Sequence, residues 1–348
     1  MVEQRDINIV LDNPIDWECF RGKTILITAA TGRIGMFIVE ALSEATIRWN
    51  LDTTIILHAR NEEKLKKVFA ESLSLPYIVQ LIQDITVPFE YEGDVDYIFH
   101  TAGMASPLDF TNKPVDTLWG HVQGTRNILE LARTHNCKKV LYVSTVEIYG
   151  TWENDKEIKE IDMGAMRCDN ARACYPEAKR LCEAMLAAYE KQYHIPYVGV
   201  RLCHTFGPGI SLVDGRAFSE FILDVLEHRD IVLQSDGSAV RTYTYTADAV
   251  GAMLIAFTRG THHYYNIANL KNEISIRDLA ELIASFDSLG KSKVKQLGEP
   301  KGKLQYLPFK LGIMDCSRIE NLGWVPKVGL QDAFRWTINS FQQNGQKE

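Results

Sequence analysis

The 348-residue sequence has no CxxC pair, no apolar run long enough to cross a bilayer and no excess of positive charge. Each absence excludes something. Cysteines 19, 137, 168, 174, 182, 203 and 316 form an odd set without metal-ligand spacing, so reduced thiols are expected rather than a disulfide framework, and no metal. A net charge of -7 and a pI near 5.8 argue against general nucleic-acid binding, so an anionic ligand would need basic residues gathered locally. The opening "MVEQRDINIVLDNP" mixes acids with its hydrophobics and shows neither a signal peptide nor a membrane span. A cytoplasmic location without membrane contact is the resulting expectation. There is also no repeat, low-complexity tract or flexible linker. With 46% hydrophobic and 24% charged residues, the chain is that of a globular protein able to bury a sizeable core.

What is present alternates. "KTILITAA" is a β-branched run closing on small residues, and "TGRIGMFIVEALSEA" repeats apolar Ile34, Ile38, Val39 and Leu42 at helical spacing. "TTIILHAR" reads as a second buried strand and "NEEKLKKVFAESL" as a charged helix capped by Asn61. "VDYIFHTAG", "KVLYVSTVEIYG" and "YVGVRLCHTFG" supply further strands, with the helical "DTLWGHVQGTRNILELARTH" between the first two. This alternation predicts an α/β fold, a Rossmann-type doubly wound parallel sheet whose ligands sit beyond the strands' carboxyl ends. After "FGPG" the elements become short and mixed, which predicts a smaller C-terminal substrate-binding lobe. The expected division is 1–200 for an N-terminal extension plus the dinucleotide-binding domain, and 201–348 mainly for the lobe intertwined with it.

The turn "TAATGRIG" is where a nucleotide phosphate would lie. Gly32 and Gly35 permit close backbone approach, and the helix start at Arg33 and Ile34 offers free amides to a pyrophosphate; tight packing alone is the other use of such glycines. Ala29 departs from the usual first glycine. At the end of the second strand, "LHARN" has Ala59, Arg60 and Asn61 where a carboxylate would hold the adenosine ribose of NAD. Arg60, with Arg33, could instead meet the 2′-phosphate of NADP, or Arg60 could solvate the helix start or stack on adenine. Asp84 and Ile85 in "QDIT" suit an adenine amino group and its apolar face. Ala102 in "HTAGMASP" sits at a small-residue strand end beside the cofactor.

In "ARACYPEAKR", Tyr175 and Lys179 stand four apart at the start of a long helix, hence on one face. A neighbouring ammonium favours phenolate and would let the phenol exchange a proton with a hydroxyl near neutral pH. Such pairs are common on helix surfaces, so the context carries the reading. "VSTVEIYG" ends a strand with Ser144, Thr145 and Glu147, alternation along which sends 145 and 147 to the same side. A hydroxyl to orient an alcohol, a phenol to take its proton and a nicotinamide to take the hydride make a complete alcohol-oxidising set.

Together, "STVEIYG", "RACYPEAKR", "RLCHTFGPG", "DGRAFSEFIL", "GSAVRTYTYTADAV" and the late "LGWVP" resemble the extended short-chain dehydrogenase/reductase family of nucleotide-sugar epimerases, dehydratases and decarboxylases. The resemblance runs from Lys23 to about Phe341 and is strongest to UDP-glucuronate decarboxylases. It implies an enzyme that works through C4 oxidation of the sugar of a nucleotide-diphosphate sugar, with NAD as the expected cofactor and NADP as the alternative. Thr145 matches the hydroxyl that polarises the sugar O4, Tyr175 the base, and Lys179 the residue that lowers its pKa and holds the nicotinamide ribose. Arg241 matches an arginine that grips the diphosphate, Arg216 a nearby lobe arginine, and His204 a substrate-contact position that is commonly asparagine. His121 likewise replaces an asparagine. Glu147 matches the decarboxylases' strand-end glutamate, whereas Val146 stands where they carry a hydroxyl residue and "LPFKLGIMDCSR" lacks their arginine pair. A 4-epimerase and an NADPH-dependent 4-ketoreductase remain alternatives, with a non-catalytic sugar-nucleotide sensor as the reading from another class. The family also implies a homodimer built on the helices containing 116–133 and 175–193, whose stripe includes Leu181, Met185 and Ala188.

Overall fold

The computed structural model describes residues 2–153, 156–296 and 311–345. Seven parallel strands form its main sheet: β1 (Thr24–Ile27), β2 (Thr54–Ala59), β3 (Ile78–Ile82), β4 (Tyr97–His100), β5 (Lys139–Thr145), β6 (Tyr197–Leu202) and β10 (Tyr264–Ile267). Their order is β10-β6-β5-β4-β1-β2-β3. The order reverses between β1 and β4, and there a doubly wound sheet opens its ligand crevice. Apart from the edge strand β3, these strands are mostly buried, as expected for β-branched runs covered by helices on both faces.

Smaller sheets stand beyond the carboxyl ends. β7 (His204–Phe206) pairs parallel with β9 (Val240–Tyr245), which pairs antiparallel with β11 (Glu273–Ser275), while β8 (Ile231–Leu233) pairs with β12 (Val294–Gln296). "YVGVRLCHTFG" is therefore two strands rather than the single one expected. β6 ends at Leu202, Cys203 lies between, and β7 joins another sheet. β-branched and aromatic residues run through both pieces, so periodicity along the chain carries no mark of the change of partner.

Two anchors tie the ends of the chain to the centre. The helix Thr246–Arg259 is buried from Thr246 to Phe257 and packs against the helix Gln4–Leu11. The Tyr245 hydroxyl donates to Asp6 at 2.8 Å. At the other end, Asp248 accepts the backbone N–H groups of Lys327 and Val328, each at 2.9 Å, and its backbone carbonyl accepts from the Trp324 indole at 3.1 Å. The "LGWVP" motif is thereby pinned to the central helix.

Candidate active site

The first wall is built where β1 turns into the helix Arg33–Arg48. Ala29 takes a left-handed φ of 49°, the conformation for which glycine is the usual residue. Its N–H meets His58 Nδ1 at 3.3 Å. A Cβ on Gly35 would lie 2.5 Å from the Ala29 carbonyl oxygen and 2.9 Å from Ala30 Cα, so only glycine lets helix and turn approach this closely. Gly32 is the N-cap of that helix. Thr28 Oγ1 then receives the N–H groups of Thr101 and Ala102, both at 3.0 Å, fixing the end of β4 beside the turn.

The second wall is the end of β5. Thr145 closes the strand and Val146–Tyr149 is a tight 3-10 turn, with the Glu147 N–H reaching Thr145 Oγ1 at 3.3 Å. The strand alternation expected to carry Glu147 therefore stops at Thr145, because the Thr145 side chain caps the turn. Glu147 still faces the same cavity as Thr145, by way of the turn. The helix Cys174–Tyr193 brings in Tyr175 and Lys179, both buried. Phe110 stacks on Tyr175 at 4.3 Å.

Burial governs the titration of this pair. Tyr175 is pushed up to about 12, first by burial and then by the Glu147 charge, while a hydrogen bond with Thr145 and the charges of Arg216 and Arg172 act the other way. Lys179 is pulled down to about 8 by its own burial, and its ammonium donates to the Val143 carbonyl at 2.7 Å. The sequence expectation of a phenol drawn down by its lysine neighbour thus meets a larger opposing effect in the folded chain.

The third wall belongs to the later chain. His204, Arg216 and Arg241 line one cavity of about 840 Å³ together with Thr145, Glu147, Tyr175 and Lys179. Arg33 and Ile34 face it from the helix start. Arg33 donates to the Thr205 carbonyl at 2.7 Å, and burial followed by the Arg216 charge lowers it to about 9. Its charged neighbours are thus Arg216 and Asp214, in the later chain. Arg216 is held by Asp214 at 2.7 Å and by the Ala105 carbonyl. His204 is held near 3 by burial and by Arg241 and Arg216, so it stays neutral.

Other expected residues lie along the neighbouring strand ends. Arg60 is exposed just after β2, and its charge is among those holding the Asp84 carboxyl below its ordinary range, after two hydrogen bonds from Thr86. The Ile85 carbonyl accepts from Asn127 at 2.8 Å. His121 is buried, with Nε2 on the Met104 carbonyl at 2.8 Å. Of "LPFKLGIMDCSR", residues 307–310 lie outside the described residues.

Arg172 is a site residue that the sequence reading passed over. It lines the cavity, donates to Glu147 at 2.9 Å and lies 4.5 Å from the Phe110 ring. Its one signal in the sequence was its place three residues before Tyr175. Among the described residues, no helix is long and apolar enough to cross a membrane, and no group of three His, Cys, Asp or Glu side chains could hold a metal.

Residues 25–268 match the NAD dependent epimerase/dehydratase family. The chain belongs to that family. As an epimerase/dehydratase family member it is an enzyme of NAD-dependent type, in agreement with the resemblance read from its motifs. It is 30% identical over 325 residues to "UDP-glucuronic acid decarboxylase 1" of Xenopus tropicalis, covering 92% of this chain and 72% of the relative. It is also 30% identical to "UDP-glucuronic acid decarboxylase 3" of Arabidopsis thaliana, covering 90% and 87%. The fold is shared with UDP-glucose 4-epimerase of Thermotoga maritima, solved with UDP-glucose, at a TM-score of 0.75 and 22% identity over 92% of this chain and 99% of that one.

Proposed function

We propose that this family member transforms the sugar of a nucleotide-diphosphate sugar through oxidation at C4, in the manner of a UDP-glucuronate decarboxylase. The observation that carries the reading is that Thr145, Tyr175, Lys179 and Glu147 share one cavity with Arg216 and Arg241. The two arginines suit a diphosphate because a planar guanidinium offers paired, charge-assisted hydrogen bonds. The resemblance to decarboxylases at 30% identity, with Glu147 retained, favours a uronate over a neutral sugar.

The glycine-tight turn and open helix start fit a dinucleotide. Gly32, Arg33, Ile34 and Gly35 would take its pyrophosphate, Arg60, Asp84 and Ile85 its adenosine, and Ala102, Tyr175 and Lys179 its nicotinamide riboside. When bound there, NAD would supply the hydride-accepting and hydride-returning chemistry at C4. Thr145 orients the C4 hydroxyl and Tyr175 removes its proton, later giving it back to the ketone. Burial favours the protonated phenol, which makes the proton-accepting phenolate the costlier form. The Thr145 hydrogen bond and the positive charges of Arg216 and Arg172, which lower Tyr175, offset part of that cost. Glu147 stands ready to move a proton beside the ketone. Residues from 201 on serve mainly as the substrate-binding lobe, and the working unit is a homodimer. Seven free thiols support a reducing, cytoplasmic setting.

The test is incubation of the purified protein with a panel of nucleotide sugars, with product masses as the readout. Loss of carbon dioxide from UDP-glucuronate is the expected result. An unchanged mass with an altered C4 configuration would make it an epimerase, and a demand for added NADPH would make it a ketoreductase.

A further inference from the structure

The buried ion pair between Glu147 and Arg172 is incomplete. The two side chains are only 14% and 12% exposed, yet they meet through a single hydrogen bond, from Arg172 Nη2 to Glu147 Oε1 at 2.9 Å. Glu147 Oε2 and Arg172 Nε and Nη1 are buried without a hydrogen-bond partner among the described residues. A structural pair in the same protein shows the contrast. Arg201 meets both oxygens of Glu183 at 3.1 and 2.7 Å, and its remaining nitrogen meets the Tyr149 hydroxyl and the Glu160 carbonyl. Arg201 is satisfied by the fold, and Arg172 is not. Unpaired buried polar groups of this kind are costly, and the cost is recovered when a ligand completes them.

What would complete the Arg172 pair follows from its chemistry. Phe110 lies 4.5 Å from the guanidinium, so its remaining N–H groups are met at the edges of the plane. They need an acceptor, best an anionic one, while Glu147 Oε2 needs a donor. Both lie on the cavity wall beside Tyr175. Charged groups that face Glu147 are Arg172, Arg241 and, when ionised, Tyr175. A sugar ring with a carboxylate next to a hydroxyl supplies both partners at once. We propose that Arg172 reads the carboxylate of a nucleotide uronate, making it the residue that selects uronates over neutral nucleotide sugars at this site. The inference rests on the nucleotide-sugar reading above. A neutral hydroxymethyl group in the same place would leave the desolvated guanidinium underpaired, and sites built to bond a polar group reject analogues that lack it.

The experiment measures affinities of UDP, UDP-glucose and UDP-glucuronate by calorimetry on NAD-loaded protein, in a Tyr175→Phe background that suppresses turnover. A hydrogen bond to a charged group predicts that UDP-glucuronate binds about 10- to 100-fold more tightly than UDP-glucose. Adding Arg172→Met should bring the two sugars within about threefold of each other while leaving UDP affinity unchanged. Arg172→Lys should restore part of the preference, since it keeps the charge but loses the planar fork. Equal binding of the two sugars without any Arg172 change overturns the inference, as does a full preference surviving in Arg172→Met. If Arg172→Met does not fold, the ratio without it and the lysine variant decide. Failure of all three ligands, UDP included, overturns the nucleotide-sugar reading itself.

Discussion

Lys179 donates its ammonium to the Val143 carbonyl at 2.7 Å, two residues before Thr145. The helix that carries Tyr175 is thereby bonded to the strand that carries the hydroxyl, and the three side chains keep a set relation. Tyr175→Phe should fold and load NAD but lose about 10²-fold or more of turnover, the size of a general-base contribution. Turnover on the true substrate and the bound dinucleotide released on denaturation are the two readings to take. Undiminished turnover would remove Tyr175 from the mechanism.

Lys179→Met separates stability from activity. Burial lowers Lys179 to about 8 from 10.5, an unfavourable contribution of about 3 kcal/mol to holding the charge in the fold. The hydrogen bond to Val143 opposes it with about 1.5–3 kcal/mol. The two nearly cancel, so the variant should melt within a few degrees of the parent while turnover falls steeply. A large drop in melting temperature would show that the lysine serves mainly to hold the helix on the strand.

Glu147→Gln keeps the shape of the side chain and removes the base. With C4 oxidation intact, reduced nicotinamide and a 4-keto sugar should accumulate on the variant, visible by absorbance and by mass. Normal turnover would leave Glu147 a structural residue and favour plain epimerisation at C4.

Stability should fall in mild acid. Burial lowers His58 to about 4 and His121 to about 3, and drives His100 well below its usual range. The folded values lie below the unfolded value of 6.5, so the unfolded chain takes up these protons first. Stability held above pH 6.5 is therefore lost as pH falls from 6.5 towards 4. Each histidine contributes up to about 1.4 kcal/mol per pH unit within its window. Asp248, pushed up to about 6 by burial, and Glu40, Glu220 and Asp224, also raised by burial, work in the opposite direction, against these three histidines and His204, which burial lowers to about 3. Denaturant titrations between pH 7 and 5 should show the decline, and a flat profile would contradict the buried neutral histidines.

The proposed homodimer has a visible face. The helices Pro114–Thr134 and Cys174–Tyr193 pack side by side and leave Trp119 57% and Leu181 49% exposed, with Val115 and Tyr193 also outward. Leu181→Arg should shift light scattering from a dimer to a monomer at micromolar concentration. A parent protein that is already monomeric would reject the assembly.

Local periodicity by itself determined much of this protein. Helical spacing put Tyr175 and Lys179 on one face, and Asn61 capped its helix as read, accepting from the Lys64 N–H at 2.7 Å. The alternating elements determined the parallel sheet, since strands joined by helical crossovers have few other ways to cover both faces. Only the tertiary structure decided the rest, because it depends on residues far apart in the chain. Arg33 is bonded to Thr205, 172 positions away, and the strand after Pro196 changes sheets at Cys203. Glu147 reached the cavity through a turn that its own sequence did not announce, and Arg172 became a site residue only when folding placed it against Glu147 and Phe110. The titration of Tyr175 was likewise beyond the sequence, for a spacing of four reports which groups are neighbours, whereas burial, the larger effect, is a property of the whole fold.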